Sequence, residues 1–534
     1  ERPMALERPK LIKTGADARE ALMAGFGHTA RLAGLTLGPH GGRVVLERAD
    51  DYPELTRDGF TAIRDLEDED RFATLGTELL KACVKKTRDA VGDGSTTTAL
   101  LAGAFAEAGL RLVAAGIDPP TVRRGFDGLT REALEAIGGQ SGPVDGRAML
   151  AQLAGVAADG DDEIAGLVAE AVERLGAEGV VSISYHQGVD TTVDYMSGMA
   201  FEHGLLSRNF LLKAGESEVK LDQPFVLMCQ GELTEAAQVV PALEAARESK
   251  RSLLVLAQDV SDQALAVMLT NDREGTVHCA AVKGPESGNY RHAATDDVAV
   301  LTGGRMVGEE TGLTAEKIDS AALGTAKRAI VDGVSTTIFG GGGTPEAVER
   351  RATQIRDAIE HERKSYDRGK YEARLARLVS GIANIRVGGV TETAWKARYK
   401  ACENALNTAR AAAKDGVVAG GGVALARAAF AIESGAAGAG EPERRAFARA
   451  LKEPFRRIAG AAGCEPSLAL EALREAPADI GFDARTGAFR PYREAGVIDA
   501  TRVTTTALTN AAVTAGQLLS TGCAVALARR PDAV

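Results

Sequence analysis

The sequence predicts a multidomain protein of mixed α and α/β class, with helical ends and an α/β middle. The chain has 534 residues, and at roughly 150 residues per domain this length predicts three or four domains. Apolar residues recur at helical spacing through about the first 140 residues, for example at Leu22, Phe26 and Ala30. From about residue 178 to 340, short aliphatic runs alternate with helical segments, which is the pattern of an α/β layer.

The predicted elements follow the chain in order. Helical patterns cover 75–91 and 99–114, and a short β-like stretch at 43–46 follows a glycine turn. Short β runs occupy the middle of the chain, at 180–184, 225–228, 253–257, 277–282 and 328–331. A helix rich in Arg and Glu is predicted from about Pro345 to Ser380, and its opposite charges three and four residues apart favour a solvated or subunit-facing position. Beyond Gly388 and Gly389 the pattern is helical again.

Composition and charge exclude several function classes. The formal charge is −11, from 63 Lys and Arg against 74 Asp and Glu, whereas a nucleic-acid binder needs a clustered positive field. The 6 cysteines are scattered without a C-x-x-C pair, which indicates free thiols in a reducing compartment and no zinc site. Apolar runs fall far short of the ~18 residues that span a bilayer. We therefore expect a soluble cytoplasmic protein without a nucleic-acid or membrane partner.

The strongest local motif is Gly-Asp-Gly-Ser-Thr-Thr-Thr at 92–98, which leads directly into an apolar helical run. The unpaired N–H groups at a helix start, together with the positive end of the helix dipole, attract anions. The glycines let a phosphate approach the backbone, and Asp93 is suited to hold magnesium. An ordinary helix N-cap remains an alternative on spacing alone. The G-x-x-x-x-G-K-[ST] motif of P-loop proteins does not occur in the sequence.

Three further motifs are weak when taken singly, namely 36–43, 55–59 and 417–423. A connecting turn, a packing contact or a hinge explains each of them as well as a ligand does. Taken together with 92–98, however, their order and flanks resemble the group I chaperonins of the GroEL type. TLGPHGGRVVL is similar to that family's TLGPKGRNVVL, GDGSTTTALLA to GDGTTTATVLA, and DGVVAGGGVAL to EGVVAGGGVAL. The resemblance runs from about residue 10 to 525 in register.

This resemblance implies an ATP-driven folding machine of two stacked seven-membered rings. Its partners would be non-native protein clients, a GroES-type lid co-chaperonin and further copies of the same chain. Each subunit would have a mostly helical equatorial ATP-binding domain (1–139 and 415–534) formed from both chain ends. A small intermediate hinge domain (140–196 and 383–414) would join it to an α/β apical domain (197–382) that binds clients and the lid.

The resemblance also implies the nucleotide site, with ATP and Mg²⁺ as cofactors and K⁺ as an optional further ion. The matching positions are Thr36, Leu37, Gly38, Pro39, Arg57, Asp93, Gly94, Ser95, Thr96, Thr97, Gly421, Asp483, Ala484, Arg485 and Asp499. Asp93 is the implied metal ligand and Asp499 the implied acceptor of the ribose hydroxyls. Asp58 stands where the family has an acid near the γ-phosphate, and Arg57 replaces the usual lysine.

One departure concerns the hydrolytic step. In the family, an aspartate within V-E-D-A-L-H-A-T-R positions the attacking water, and Asn404 occupies that position in the stretch 402–410 of this chain. An amide can hydrogen-bond water but cannot take its proton, and general-base contributions are typically ~10²–10⁴-fold. We therefore expect ATP binding with slow hydrolysis, unless Asp58 suffices or Glu403 substitutes for the missing carboxylate.

A second departure concerns the implied client groove. The matching apolar positions are Leu205, Phe210, Val240, Leu243, Leu265 and Leu269. Asn209 and Thr270 replace an aromatic and an aliphatic residue, and a G-F-G-D-R-R-K-type loop is rewritten at 285–291. We therefore expect weaker or narrower client binding than a housekeeping chaperonin has.

Three hypotheses about function remain open from the sequence. The first is an active folding chaperonin, and the second is a specialised paralogue with little ATP turnover that acts as a binding or scaffolding ring. The third is an unrelated enzyme that uses ATP or a dinucleotide. The absence of a P-loop motif and of a G-x-G-x-x-G strand–turn–helix disfavours the third.

Overall fold

The computed structural model describes residues 10–48, 51–158, 160–177, 179–186, 188–211, 217–286, 288, 290–308, 311–379, 381–435 and 440–528. The chain forms two compact units. Unit 1 comprises Glu1–Glu173, Gln187–Thr191 and Val387–Val534, and unit 2 comprises Arg174–His186 and Thr192–Arg386.

The helices follow the chain in three groups. Those before residue 176 are α1 (Gly15–Gly34), α2 (Gly59–Arg64), α3 (Arg71–Val91), α4 (Ser95–Ala114), α5 (Pro119–Gly138), α6 (Gly146–Ala157) and α7 (Asp162–Leu175). The middle group is α8 (Val240–Glu248), α9 (Asp262–Arg273), α10 (Tyr290–Thr302), α11 (Pro345–His361) and α12 (Ser365–Val379). The last group is α13 (Glu392–Asp415), α14 (Val423–Ser434), α15 (Glu441–Leu451), α16 (Glu453–Ala461), α17 (Pro466–Glu475) and α18 (Thr501–Leu519).

The strands are short, and most of them lie in the middle of the chain. Those before residue 202 are β1 (Lys10–Thr14), β2 (Val44–Arg48), β3 (Asp51–Thr56), β4 (Val180–Tyr185), β5 (Thr192–Met196) and β6 (Gly198–Phe201). They are followed by β7 (Glu218–Asp222), β8 (Phe225–Cys229), β9 (Leu253–Ala257), β10 (Cys279–Lys283), β11 (Met306–Val307), β12 (Gly324–Asp332), β13 (Thr336–Gly341) and β14 (Ile382–Val387). The last are β15 (Val417–Ala419), β16 (Ile480–Asp483), β17 (Ala488–Pro491), β18 (Ile498–Ala500) and β19 (Cys523–Leu527).

Unit 1 is a helical assembly built on small residues. Helix α1 packs on α3 so closely that a Cβ at Gly25 would collide with the Ala73 carbonyl, and one at Gly76 with the Leu22 carbonyl. Helix α18 packs on α3, α4 and α5. The stacked rings of Phe105 and Phe447, with centroids 4.6 Å apart, are among the aromatic side chains of the core. Strands β1 and β19 pair antiparallel along the same unit.

Helix α4 is long and apolar enough to cross a membrane by length and composition. It packs instead against α1, α15 and α18, and its residues include fully buried Leu101 and Phe105. A central helix of a packed core has the same composition as a membrane span, so its hydropathy follows from its position in unit 1.

Unit 2 is an α/β unit whose main sheet has the strand order β10-β9-β8-β12-β13-β6. Strands β8, β9 and β10 are parallel, and β12 runs antiparallel to β8 and β13. Every residue of β8 and β9 is buried, as expected for strands covered on both faces. A smaller sheet has the order β4-β14-β5.

The predicted class, helical with an α/β middle, is confirmed, but the single charged helix predicted over 345–380 is wrong. The structure divides it into α11 and α12, with Glu362 in extended conformation after α11. The two helices pack on each other, so that Ile355 and Leu378 both reach the core of unit 2.

The predicted apical range lies wholly inside unit 2, while the ranges predicted as an intermediate domain divide between both units. The three-domain boundaries therefore stay a prediction. Ser287 and Asn289 of the rewritten loop lie outside the described residues.

Candidate functional site

The segment 92–98 forms a tight loop at the start of α4. Gly92 and Gly94 adopt left-handed conformations with φ of 77° and 81°, which disfavour any residue with a side chain. A Cβ at Gly92 would collide with the Asn404 carbonyl, and one at Gly94 would lie 2.9 Å from Val503 Cγ1. Between them, Asp93 accepts a 2.6 Å hydrogen bond from the Gly94 N–H. The glycines therefore fix the position of the Asp93 carboxylate.

The first turn of α4 is open to a ligand. Among the described residues no side chain caps this helix, so its first N–H groups remain available to an anion. Behind the loop, the Thr98 hydroxyl donates to the Gly94 carbonyl at 2.8 Å and to Thr87 Oγ1 at 3.1 Å. Asn510 Nδ2 donates to the same Thr87 oxygen at 2.9 Å. This buried network holds the turn in place, and Thr96 and Thr97 in the same turn stay partly exposed.

A second loop brings Asp58 to the same place. Asp58 caps α2, and its Oδ2 accepts from the N–H and the hydroxyl of Thr61 at 2.8 and 2.6 Å. The following Gly59 lies so close to Thr96 that a Cβ there would collide with the Thr96 hydroxyl. Thr36 Oγ1 is 3.4 Å from Thr96 Oγ1. Three segments distant in sequence therefore converge on the first turn of α4.

The carboxylates of the site repel one another. Burial raises the pKa of Asp93 above its ordinary value and the charge of Asp58 raises it further, although the Gly94 N–H lowers it. Burial raises the pKa of Asp499 to about 7, with a further contribution from the charge of Asp93. A region that crowds negative charge in this way suits a cation.

The donor set fits Mg²⁺ bound together with phosphate. Mg²⁺ prefers oxygen ligands and is usually held by one or two carboxylates plus substrate phosphates, and Asp93 with the neighbouring Thr hydroxyls provides such oxygens. The parts of the chain that the structure describes contain no group of three or more His, Cys, Asp or Glu able to hold a metal. A magnesium ion at Asp93 would therefore depend on phosphate for its other ligands.

The glycine triplet 420–422 forms the wall beside Asp499. Strand β15 pairs with β18, with Val418 opposite Asp499. A Cβ at Gly420 would lie 3.1 Å from Asp499 Oδ1, and Gly421 follows with φ of 66°. Gly422, with φ of 78°, begins α14. The backbone is thus bare next to the Asp499 carboxylate, where a ligand can approach.

The loop after α1 is linked to the β16–β17 hairpin. His40 Nε2 lies 2.9 Å from the Ala484 carbonyl oxygen, a hydrogen bond across the two segments. Arg57 donates to the Pro39 and Gly41 carbonyls at 2.9 and 3.2 Å. Arg57 therefore braces this loop.

Asp483 and Arg485 are engaged with each other. Burial acts to raise the pKa of Asp483, but the hydrogen bonds from the Arg485 N–H and guanidinium outweigh it and hold that pKa below its ordinary value. Arg490 lies 3.5 Å from the other carboxylate oxygen. These contacts stabilise the hairpin turn and leave its backbone, at Ala484, as the part nearest the 36–43 loop.

Helix α13 places Asn404 against the phosphate loop. The backbone carbonyl of Asn404 contacts Gly92, and Cβ of Asn407, one turn later, lies against the same glycine. Thr408 Oγ1 donates to the Val91 carbonyl at 3.1 Å. Glu403, in contrast, pairs with Lys400 at 3.0 Å. Position 404, which lacks a carboxylate, therefore lies at the loop 92–98, while the carboxylate of Glu403 forms an ion pair with Lys400.

The structure gathers most of the sequence-predicted residues. Those at or beside the first turn of α4 are Thr36, Asp58, Asp93, Gly94, Ser95, Thr96, Thr97, Asn404 and Asp499. Gly421 lies instead near Val497 and the Phe482 carbonyl. Those in the adjoining loop and hairpin are Leu37, Gly38, Pro39, Arg57, Asp483, Ala484 and Arg485. The site residues expected from the sequence did not include Gly59, His40, Asn407 or Arg88, although Gly59 and His40 lie within the candidate motifs 55–59 and 36–43.

The predicted client-binding residues of unit 2 divide into two groups. Leu205, Leu265 and Leu269 are partly buried and pack on the edge of the core, and Val240, at the start of α8, is also partly exposed. Phe210 and Leu243 lie instead in the core, with exposures of 1% and 4%. In this conformation neither of those two side chains is available to a client, because both belong to the buried core of unit 2.

The chain is similar to known proteins both in sequence and in fold. The sequence matches the family model described as the TCP-1/cpn60 chaperonin family over residues 30–238 and 232–527. Among solved structures, the fold is similar to that of the chaperonin gp146 from the bacteriophage EL 2 (Pseudomonas aeruginosa), crystallised in the presence of ATP-BeFx, with a TM-score of 0.68. The sequence identity is 18%, and the match covers 97% of this chain and 100% of that chain.

Proposed function

Because the chain belongs to the TCP-1/cpn60 chaperonin family, we propose that it is a divergent ATP-dependent molecular chaperone of the GroEL type. It binds ATP with Mg²⁺ in unit 1 and non-native protein segments in unit 2. The similar phage chaperonin was crystallised with ATP-BeFx, which supports nucleotide binding by this fold.

One observation carries the proposal for the nucleotide site. The segment 92–98, with the uncapped start of α4 and the fixed Asp93, meets the Asp58 loop, which comes from a separate part of the chain. Phosphoryl transfer to water requires mainly positioning and charge neutralisation. The α4 N–H groups and Thr hydroxyls would hold the phosphates, and Asp93 would hold Mg²⁺, which supplies positive charge at the γ-phosphate. The bare backbone at 420–422 would face the nucleoside.

The hydrolytic step is proposed to be slow. Asn404 lies at the phosphate loop, where an amide can orient a water molecule without accepting its proton. Glu403 is paired with Lys400, which disfavours it as the substitute base. Asp58 remains the carboxylate best placed to accept the proton. This arrangement would keep the ATP-bound state for longer than a site with two carboxylates does.

The assembly and its partners follow from the family alone. We propose homo-oligomeric rings, heptameric and stacked in two, which enclose clients with a GroES-type lid in the cytoplasm. The free cysteines at Cys83, Cys229, Cys279 and Cys402 are all buried, which supports a reducing compartment. The partly exposed Leu205, Val240, Leu265 and Leu269 offer a modest apolar surface, in keeping with a narrow client range.

A second candidate is a binding or scaffolding ring with little ATP turnover, which the absence of a carboxylate at position 404 favours. Two measurements separate the candidates. Native mass measurement with and without ATP reports the ring, and steady-state phosphate release with and without a lid co-chaperonin reports turnover. A ring that binds ATP, shows no turnover and does not refold a denatured client would support the scaffold. A monomer without ATP affinity would contradict both candidates.

A further inference from the structure

Arg88 lies in the last turn of α3, directly before the phosphate loop. Its carbonyl accepts the Gly92 N–H at 2.8 Å, the bond that ends the helix. Its side chain is 12% exposed, and the guanidinium lies over the ring of Phe60, 5.0 Å from the centroid. A cation stacked on an aromatic face and largely shielded from water is held in one place.

From this position Arg88 reaches the Asp58 carboxylate. The distance from Arg88 Nη1 to Asp58 Oδ2 is 3.4 Å. The two bonds from Thr61 end on the same oxygen, so three donors converge on Oδ2. Within the described residues, Asp58 Oδ1 accepts no hydrogen bond. The carboxylate is therefore fixed through one oxygen, and the other is left for a ligand or a water molecule.

The charges around the site make this pairing consequential. The negative charges of Asp58 and Asp93 repel each other, and the charge of Asp93 also raises the pKa of Asp499. Arg57 is next to Asp58 in sequence, but its guanidinium donates hydrogen bonds to the Pro39 and Gly41 carbonyls. Arg88 is thus the cation that balances Asp58 while leaving Asp93 to a metal ion.

We propose that Arg88 is a positioning residue for ATP hydrolysis, which orients the Asp58 carboxylate so that its Oδ1 serves as the base that position 404 lacks. The inference rests on the proposed ATPase function. The water oxygen bonds to the γ-phosphorus as the bond to the β-phosphate oxygen breaks, and ADP keeps that electron pair. The water proton passes to Asp58 Oδ1 and then to solvent.

The experiment measures kcat and KM for ATP with Mg²⁺ on the full chain, using single-turnover phosphate release if turnover is slow. The variants are Arg88→Ala, Arg88→Lys, Asp58→Asn and the double variant Arg88→Ala with Asp58→Asn. Arg111→Ala is the matched control, because Arg111 forms an exposed pair with Glu107 at the far end of α4. Thermal unfolding of each variant reports its folding.

Arg88→Ala should lower kcat about tenfold, the lower range for a lost hydrogen bond to a charged group, with KM nearly unchanged. Arg88→Lys should restore most of the rate, because the ammonium keeps the charge. In the Asp58→Asn background, Arg88→Ala should have no further effect on kcat, since the two residues act as one unit.

Three results would overturn the inference. The first is a kcat of the double variant that is lowered by the product of the two single effects. The second is a rise in KM of Arg88→Ala with unchanged kcat. The third is a rate for Arg88→Ala equal to that of the parent protein. In all three the parent protein still turns ATP over, so the proposed function survives them. A parent protein that neither binds nor hydrolyses ATP would instead contradict the proposed function itself. If Arg88→Ala fails to fold, Arg88→Lys is combined with Asp58→Asn instead. A fall in kcat for Arg88→Lys that disappears in the Asp58→Asn background supports the inference, and an equal fall in both backgrounds or no fall in either overturns it.

Discussion

Replacement of Asn404 by aspartate should accelerate ATP hydrolysis. The substitution replaces an amide by a carboxylate of nearly the same size, on the residue of α13 whose backbone carbonyl lies against Gly92, so the fold need not change. A general base contributes ~10²–10⁴-fold. Because Asp58 already supplies part of this function in the proposed site, the gain should lie near the lower end, about a hundredfold or about 2.7 kcal/mol in activation free energy.

The same carboxylate should carry an electrostatic cost. It would stand near Asp93, whose pKa is already raised by burial and by Asp58, so its own pKa should be raised as well. The acceleration should therefore be largest above neutral pH and should fade as the pH drops through that pKa. A modest rise in KM for ATP at low Mg²⁺ should accompany it, because an added negative charge opposes phosphate binding until the metal is present.

The assay is steady-state phosphate release by the wild-type protein, Asn404→Asp and Glu403→Gln between pH 6 and 9. Glu403→Gln is the matched control, because it removes the neighbouring carboxylate, which is paired with Lys400, and it should leave the rate unchanged. No acceleration by Asn404→Asp at any pH would refute the reasoning, and would mean that Asp58 alone suffices. A fall in rate for Glu403→Gln would instead identify Glu403 as the substitute base.

Three further predictions test the site. Gly94→Ala should destabilise the protein by about 1–3 kcal/mol and lower ATP affinity in a calorimetric titration, because φ is 81° and Val503 leaves no room. His40→Ala should raise the Kd for ATP a few-fold by freeing the 36–43 loop from the Ala484 carbonyl, and His40→Gln should retain part of the affinity. The pKa of Asp499 is raised to about 7, so the folded state binds the proton of this carboxyl group more tightly than the unfolded state does. The stability that this contributes is full below the unfolded pKa and is lost as the pH rises towards 7. Asp499→Asn should therefore raise the free energy of unfolding of the ligand-free protein by about 1–2 kcal/mol at pH 8, which a higher melting temperature would report. At pH 4 the melting temperature should be nearly unchanged. An equal shift at both pH values would contradict the assignment.

The sequence predicted those parts of the site in which a motif is continuous. The loop 92–98 has its glycines, acid and hydroxyls in one run, and each of them has a local reason to be there. Arg88 could not be predicted, because its partner Asp58 is thirty positions away and an arginine at the end of a helix is ordinary. Its role depends on the way in which α2 and α3 place two side chains together, and no spacing rule contains that information.

The fold was predictable to the same extent and for the same reason. Periodicity identified α3, α4 and the buried strands β8 and β9, whose patterns are local. It did not predict the break at Glu362, since the residues around it are as suited to a helix as their neighbours. It also did not distinguish Phe210 and Leu243 from Leu265 and Leu269, because an apolar residue on a helix face is exposed or buried according to what covers that face.

The separation of the two long stretches of unit 1, Glu1–Glu173 and Val387–Val534, constrains the way in which the protein is made. Helix α4 ends at Ala114, whereas α18, which covers it, begins only at Thr501. Unit 2 draws its contacts from the intervening stretch and can therefore fold while synthesis continues, since domains generally fold as units. During that interval the apolar faces of α1, α3 and α4 that pack against α18 remain uncovered, because α18 has not yet been synthesised. The nascent chain thus passes through the exposed, incomplete state that chaperones bind in other proteins.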